Sequence, residues 1–164
     1  MSESTPVRYI DGITERYERL GYAPYRWLYA DEPPRLARLN KPLSQARIGA
    51  LTTSGAYALG QVAFHYKDDT SVRAIPAATA DEDLRFAHIT QNYLVDAKKD
   101  PNCISPLAAL RRLEADGTIG EVAPDMFSCM GGIYSQRRVR EELIPELNQR
   151  FAEQQVDAVL LVPM

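Results

Sequence analysis

The chain has 164 residues, of which 45% are hydrophobic and 25% are charged, and its formal net charge is -3 at pH 7. These values favour one compact soluble domain with a core of its own. They exclude several classes of protein. A slightly acidic chain without a basic cluster has no general attraction to nucleic acid or anionic membranes. No apolar run is long enough for a membrane span, and the polar first residues lack a secretory signal, so we expect a cytoplasmic protein.

The first 45 residues predict a helix followed by an irregular arm. Thr5 can cap the helix with Pro6 at its first position, apolar residues recur at helical spacing over 10–20, and Gly21 can end it. Residues 22–45 are rich in aromatic residues and prolines, which suits an extended, ordered arm over the domain surface.

Three strands are predicted in the next part of the chain. Residues 46–55 contain an apolar run ending in a Thr-Ser-Gly turn, and residues 72–76 and 84–90 are shorter candidates. By period-two alternation, Leu84, Phe86 and His88 share one face of the last of these. A polar loop over 93–102 follows.

The second half alternates helices with strands. Ser105-Pro106 can cap a helix that turns three leucines inward, Leu107, Leu110 and Leu113, and ends near Gly117. Residues 121–132 indicate a strand and a turn.

Ser135 can cap the next helix, in which apolar residues repeat every four positions from Val139 to Phe151 and Pro145 should cause a kink. The last strand, 156–162, has the continuous apolar sequence of a strand that is buried on both faces.

This alternation predicts an α/β fold with a mostly parallel sheet flanked by helices. We expect a single domain over 1–164, in which 1–45 form the N-terminal helix and arm and 46–164 the sheet core. Ligands of such sheets bind beyond the carboxyl ends of the strands.

The stretch LTTSGAY, 51–57, is the first candidate site. Hydroxyls and a glycine follow a buried strand, so backbone N–H groups there could bind an anion or a carbonyl oxygen. The alternative is a tight turn that needs Gly55 only for its backbone conformation.

His88 and the cysteines are the other candidates. His88 on an apolar strand is either a hydrogen-bonded core residue or a ligand contact. Cys129 lies before a Gly-Gly turn and could be a nucleophile with a lowered pKa, or a small buried residue. Cys103 and Cys129 form no C-x-x-C pair, which favours two free, packed thiols. His65 is not at metal-ligand spacing from His88, so no metal site is expected.

Seven segments in order resemble the glycine/sarcosine/betaine/D-proline reductase family, in particular its selenoprotein B component. They are VRYIDGITERYERLGYAPYRW, KPLSQARIGALTTSG, DDTSVRAIP, LRFAHITQNYLVDAKKDPN, SPLAALRRLEADGTIGEVAP, FSCMGGI and VDAVLLVP. The resemblance implies an oxidoreductase acting on X–H and Y–H with a disulfide as acceptor, which reductively cleaves a C–N bond of an amino acid or betaine. It also implies partner reductase subunits or a thioredoxin-like electron donor, and no dissociable cofactor.

In the family, the strand that resembles VDAVLLVP runs into a selenocysteine or cysteine motif, whereas this sequence ends at Met164. We therefore expect a chain truncated before that motif, as reading a UGA selenocysteine codon as a stop would produce, and no catalytic residue can be carried over. The positions that the resemblance assigns to the walls of a substrate cleft are Thr52, Thr53, Ser54, Gly55, Thr70, Ser71, Arg73, His88, Asp100, Asn102, Ser128, Met130 and Gly131.

Two interpretations remain open. One is a reductase component that is part of a larger, possibly oligomeric, assembly. The other is a non-catalytic α/β module that holds a small anionic or zwitterionic ligand and has lost the redox motif.

Overall fold

The protein is described by a computed structural model that covers residues 8–24, 29, 31–35 and 37–164. It divides into two compact units, Met1–Ala37 and Arg38–Met164. In the first unit, helix α1 spans Tyr9–Arg19 and ends before Gly21, whose φ of 83° is the left-handed conformation that favours glycine. The helix and its end are confirmed. The predicted cap at Thr5 and Pro6 lies outside the described residues.

The second unit is built on a mostly parallel sheet, as the sequence predicts. Its strands are β1 (Arg47–Thr52), β3 (Arg73–Pro76), β5 (Glu121–Val122), β6 (Asp125–Ser128) and β7 (Ala158–Val162). The central strand, β1, pairs in parallel on one side with β5 and β6 and on the other side with β7; β3 pairs antiparallel with β6. Pro124 separates the short strands β5 and β6, which pair one after the other along the same side of β1.

A separate antiparallel pair was not foreseen. β2 (Ala56–Ala58) pairs with β4 (Leu84–Phe86). The strand predicted over 84–90 is therefore too long: β4 ends at Phe86, although the Ala87 N–H still donates to Gly55 O at 3.0 Å. His88 lies outside the strand.

Helices cover both faces of the sheet. Helix α2 (Leu107–Ala115) packs on one face through Leu107 and Leu110, beside the side chains of Ile48 and Ala50. Two details of this prediction are wrong. Leu113 is 39% exposed, because it lies on the outer side of the helix, and Ser105 makes no capping hydrogen bond.

The other face is covered by helix α3 (Gln136–Arg138), a π-helical segment (Val139–Leu143) and helix α4 (Ile144–Glu153). The Ser135 side chain caps α3, as predicted. Pro145 cannot donate a helical hydrogen bond, and the π segment directly precedes it. Phe151 packs so closely that a Cβ on Gly49 of β1 would lie 2.9 Å from its ring. Gly49 therefore sets how near α4 can approach the sheet.

β7 departs from the prediction of a strand buried on both faces. Leu160 is 42% exposed and Leu161 is 65% exposed. Among the described residues β7 pairs only with β1, so it forms an edge of the sheet. No helix in the described part of the chain is both long and apolar enough to cross a membrane.

Candidate functional site

The carboxyl ends of three parallel strands, β1, β6 and β7, lie together at one end of the sheet. Just beyond β1, the Thr53 N–H donates to Val162 O of β7 at 3.1 Å, and the Gly55 N–H donates to Cys129 O beyond β6 at 3.0 Å. The Met164 N–H donates to Thr53 Oγ1 at 2.9 Å. Hydrogen bonds thus connect the segments that follow β1, β6 and β7, as the parallel topology requires.

These bonds decide between the two interpretations of LTTSGAY. The N–H groups of Thr53 and Gly55 are bonded to carbonyl oxygens, and the Ser54 N–H donates to Thr52 Oγ1 at 3.3 Å. The chain then enters β2 rather than a helix. The turn therefore has no free N–H group among these three, and an anion site built from them is wrong. Gly55 is required for its backbone, with a φ of 66°.

His88 is a buried side chain at this end of the sheet, with 6% of its surface exposed. Its Nδ1 accepts the Thr90 N–H at 3.1 Å and lies 2.7 Å from Thr90 Oγ1. Because a backbone N–H can only donate, Nδ1 carries no proton and the imidazole hydrogen is on Nε2. Burial lowers the pKa of His88, which favours the same neutral form.

The Nε2–H group has no hydrogen-bond partner among the described residues. Gly131, which is exposed, lies against it: a Cβ on Gly131 would be 3.0 Å from His88 Nε2, 2.8 Å from Thr53 O and 3.0 Å from Met164 O. We call Thr53, His88, Gly131 and Met164 the strand-end cluster. It combines one unpartnered N–H donor with two carbonyl oxygens, next to a glycine at the surface.

A set of fully buried hydroxyls belongs to the same end of the sheet. Thr52 Oγ1 is 2.6 Å from Ile104 O and 2.8 Å from Ser54 Oγ; it donates to the carbonyl, so the Ser54 hydroxyl donates to it. Ser128, opposite Thr52 in the register, has a buried Oγ without a partner, as does Ser105. Thr52 and Ser54 thus brace the turn, and their hydroxyl protons are already committed.

The remaining predicted site residues are placed differently. Arg73 is opposite Ser128, but its guanidinium donates to Val62 O at 2.7 Å and Ala63 O at 3.3 Å and lies 4.2 Å from the centre of the Phe64 ring. Met130 is buried, and its backbone forms an isolated antiparallel β-bridge with Ser54. Arg73 therefore holds a loop, and its role in binding substrate stays a prediction.

Asn102 belongs to a second group of polar side chains. Its amide nitrogen donates to Asp81 Oδ2 at 2.6 Å and to Asp100 Oδ1 at 3.1 Å, and its oxygen accepts the Ala109 N–H at 3.3 Å. These bonds connect two loops with the start of α2. None of these partners belongs to the strand-end cluster, so the structure does not bring Asn102 into it.

The sequence reasoning did not foresee how residues 68–71 are used. Asp68 Oδ1 accepts the N–H of Tyr134 at 2.7 Å and of Ser135 at 3.1 Å. Thr70 donates to Glu142 at 2.7 Å and accepts from Arg138 at 2.9 Å. The hydrogen-bonded Arg138 lowers the pKa of Glu142. Asp68 and Thr70 thus attach their loop to the start of the α3 helix. The adjacent acidic residues Asp68 and Asp69 are the sequence feature that could have indicated this role.

The two cysteines differ sharply. Cys129 is 2% exposed, and burial raises the pKa of its thiol to about 11, so the interpretation as a small buried residue is confirmed and a low-pKa thiolate is contradicted. Cys103 is free and exposed, which corrects the expectation that both thiols are packed.

We expect iodoacetamide to modify Cys103 and to spare Cys129 in the folded protein, since only an accessible thiol that can ionise reacts. Mass spectrometry of the native protein should find one adduct, and the same treatment in guanidinium chloride should find two. Rapid modification of Cys129 under native conditions would contradict both its burial and its raised pKa.

A pocket of about 460 Å³ lies away from the strand-end cluster. It is bordered by the β2–β4 pair and the loop that follows Leu94, and charged side chains make up much of its wall. In contrast to the cluster, its lining does not include a residue that the resemblance assigns to the cleft. The lining residues are Tyr57, Asp81, Glu82, Leu84, Arg85, Phe86, Ala97, Lys98, Lys99 and Pro101.

Among the described residues, no group of three or more His, Cys, Asp or Glu side chains could hold a metal ion. The strand-end cluster fits this, because it offers one imidazole and no carboxylate side chain. The groups that it presents are hydrogen-bonding groups.

Comparison with known proteins gives a consistent result. Residues 76–163 match the family described as glycine/sarcosine/betaine reductase selenoprotein B. The chain is 32% identical over 129 residues to D-proline reductase subunit gamma of Acetoanaerobium sticklandii, a match covering 79% of this chain and 53% of the relative. The chain thus spans about half the length of that relative. No solved structure gives a significant match.

Proposed function

Because this chain belongs to the glycine/sarcosine/betaine reductase selenoprotein B family, we propose that it forms the substrate-binding part of a reductase that cleaves a C–N bond of an amino acid or betaine. The observation that supports this most strongly is the unpartnered Nε2–H group of His88 at the point where three strand ends meet. A buried donor without a partner costs about 1–3 kcal/mol, so a ligand that accepts its hydrogen bond recovers that cost.

The cluster suits a small dipolar molecule. The neutral imidazole donates to a carboxylate oxygen, and the carbonyl oxygens of Thr53 and Met164 face the positive end of the ligand. An imidazolium would instead repel a substrate ammonium, so the lowered pKa of His88 favours binding of a zwitterion. Gly131 has no side chain, which lets the imidazole and the two carbonyl oxygens converge at this point.

In this proposal the redox-active group is a selenocysteine or cysteine that follows Met164 in a longer form of the protein. Met164 already hydrogen-bonds Thr53, so a residue directly after it would be next to the cluster. Cys129 is unsuited to this role, because burial raises the pKa of its thiol, so the redox-active residue must be a different one. Such a group would supply a soft nucleophile and the two-electron chemistry.

The overall reaction balances with a dithiol as the reductant. The C–N bond breaks, two electrons and two protons come from the two S–H groups, and hydrogen is added to carbon and to nitrogen while the thiols become a disulfide. Partner reductase subunits or a thioredoxin-like donor would deliver the dithiol. A reducing cytoplasm fits this chemistry, because free thiols persist there.

Ligand binding by His88 variants tests the proposal. We expect isothermal titration with glycine betaine, D-proline and glycine to detect at least one of them, and His88→Ala to weaken its binding about tenfold or more, as loss of a hydrogen bond to a charged group does. His88→Gln, whose amide nitrogen can replace Nε2, should retain most of the affinity.

His65→Ala is the matched control, because His65 is exposed and bonds only within its own loop. It should bind like the original protein. Equal affinity of the original protein and His88→Ala, with circular dichroism showing both folded, would contradict the proposed site. So would failure of all three probes to bind at millimolar concentration.

The positions of the cysteines favour a second function, since neither Cys103 nor Cys129 belongs to the strand-end cluster. The chain would then be a non-catalytic module that binds the same class of ligand. An intact-mass measurement of the native protein distinguishes the two: a mass above that of the 164 residues supports the reductase, and a mass equal to it supports the binding module.

A further inference from the structure

We propose that Thr90 is a positioning residue, whose hydroxyl fixes the imidazole of His88 so that the Nε2–H group faces the strand-end cluster. This inference rests on the function proposed for His88, and it adds the residue that sets how His88 presents its donor. Thr90 makes two separate contacts with the ring. Its N–H and its hydroxyl oxygen both reach Nδ1, at 3.1 Å and 2.7 Å respectively.

The direction of the hydroxyl bond follows from the protonation of the ring. Because Nδ1 accepts the Thr90 N–H and carries no proton, the Thr90 hydroxyl is the donor in the second contact. Its distance of 2.7 Å is within the usual range for a hydroxyl donor. Nδ1 of His88 thus accepts two donors that belong to a single residue.

Thr90 occupies a position at which a threonine hydroxyl is ordinarily used in another way. It is the N-cap of a short 3₁₀ helix, Gln91–Leu94, and its carbonyl oxygen accepts the Tyr93 N–H at 3.1 Å. A threonine at an N-cap usually accepts a helix N–H with its side-chain oxygen. Here the side chain caps none of the described N–H groups of the helix. The hydroxyl bonds the imidazole instead, and a local rule that is broken beside a candidate site indicates function.

The two bonds select one orientation of the imidazole. Turning the ring by half a rotation about its Cβ–Cγ bond exchanges Nδ1 with Cδ2 and Nε2 with Cε1, and histidine χ2 by itself allows both orientations. The turned ring loses both bonds to Thr90. It also places a C–H group beside Gly131, where Nε2 now lies. Thr90 therefore determines which atom of His88 reaches the strand-end cluster.

The same bonds strengthen the Nε2–H donor. Hydrogen bonds that form a chain polarise one another, so a bond accepted at Nδ1 makes the N–H on the other side of the ring a better donor. The bond at one ring nitrogen also sets which tautomer is present. A carboxylate that accepts from Nε2 should therefore bind more tightly with the Thr90 hydroxyl than without it.

Thr90→Val tests this role, because it keeps the backbone N–H and the shape of the side chain and removes only the hydroxyl. We expect its affinity for whichever of glycine betaine, D-proline or glycine binds the original protein to fall about fivefold, as loss of one hydrogen bond does. Thr90→Ser keeps a hydroxyl and should keep the affinity. Thr90 is exposed, so both variants should fold.

Thr118→Val is the matched control. Thr118 is also exposed, and its hydroxyl bonds to no other residue in the described part of the chain. The substitution removes the same group from a turn between α2 and β5. Its ligand affinity should equal that of the original protein.

Nuclear magnetic resonance of the ring nitrogens gives a readout that needs no ligand. The chain has two histidines, so isotope-labelled histidine yields two ring systems, and His65, which bonds within its own loop, is the internal reference. We expect the Nδ1 resonance of His88 to move in Thr90→Val toward that of a nitrogen with one donor fewer. In Thr90→Ser it should return, while the His65 resonances stay unchanged throughout.

An unchanged Nδ1 resonance in Thr90→Val, equal ligand affinity of Thr90→Val and the original protein, or failure of Thr90→Ser to restore both would overturn the proposal. It fails separately from the proposed function. Weaker binding by His88→Ala together with normal binding by Thr90→Val rejects the role of Thr90 alone. A shifted Nδ1 resonance without binding of any probe supports the contact of Thr90 with the ring and contradicts the function proposed for His88.

Discussion

Gly55→Ala is expected to lower the free energy of unfolding by about 3 kcal/mol, from a strained φ and a backbone collision together. Gly55 has a φ of 66°, and a Cβ there would lie 2.2 Å from Ala87 O. Ala87 is held to Gly55 by its own N–H and directly precedes His88. The chain would therefore have to move apart where His88 is positioned. Urea unfolding followed by circular dichroism measures the loss.

Gly117→Ala is the control that separates the two causes. Gly117 has a φ of 70°, but no atom lies within 4 Å of the position of its Cβ. We expect this variant to lose only the conformational part, roughly 1–2 kcal/mol. If the two variants were equally stable, the contact between Gly55 and Ala87 would have no energetic role, and the account of this turn would be wrong.

Gly131→Ala is expected to affect both stability and binding. The added methyl group would lie within 3.0 Å of Thr53 O, His88 Nε2 and Met164 O, so those groups must separate. Forcing a methyl group into such a site costs typically about 1–3 kcal/mol. It would also displace the three polar groups that are proposed to contact the ligand, so we expect binding of glycine betaine or D-proline, measured by titration, to fall at least about tenfold.

Gly132→Ala serves as its neighbour control. There the close contact is the Ile89 Cγ2 methyl group at 2.6 Å, which belongs to a β-branched side chain and contains no polar atom of the strand-end cluster. Its effect on stability should be similar, and ligand affinity should be unchanged. Unaltered binding by Gly131→Ala would remove Gly131 from the ligand site while leaving His88 to be judged on its own variants.

Much of the fold follows from local patterns. The apolar run of β1 and the four-residue repeat of the last helix are strong signals, and both elements form where they are predicted. β2 was missed because three residues, Ala56–Ala58, are too few to show alternation. The strand at 84–90 was drawn too long because alternation continues to His88, whereas the pairing of β4 with β2 stops at Phe86.

β7 shows what periodicity cannot reveal. Its apolar sequence is the same for a central strand and for an edge strand, since only the tertiary structure decides what covers it. The candidate site has the same limit. The sequence identifies His88 and Gly131, but the tautomer of His88 follows from its bond to the Thr90 N–H, and the proximity of Gly131 follows from strand order.

The position of β1 has a consequence for how this protein acquires its structure. β1 ends at Thr52, yet every strand beside it comes from residues 121–162. During synthesis about seventy further residues must be added before its first partner, β5, exists, and about 110 before β7 is complete. Sheets assembled from such distant segments fold slowly, and their folding intermediates expose apolar surface and are prone to aggregate. A chaperone that shields the nascent β1 segment would therefore raise the yield of folded protein.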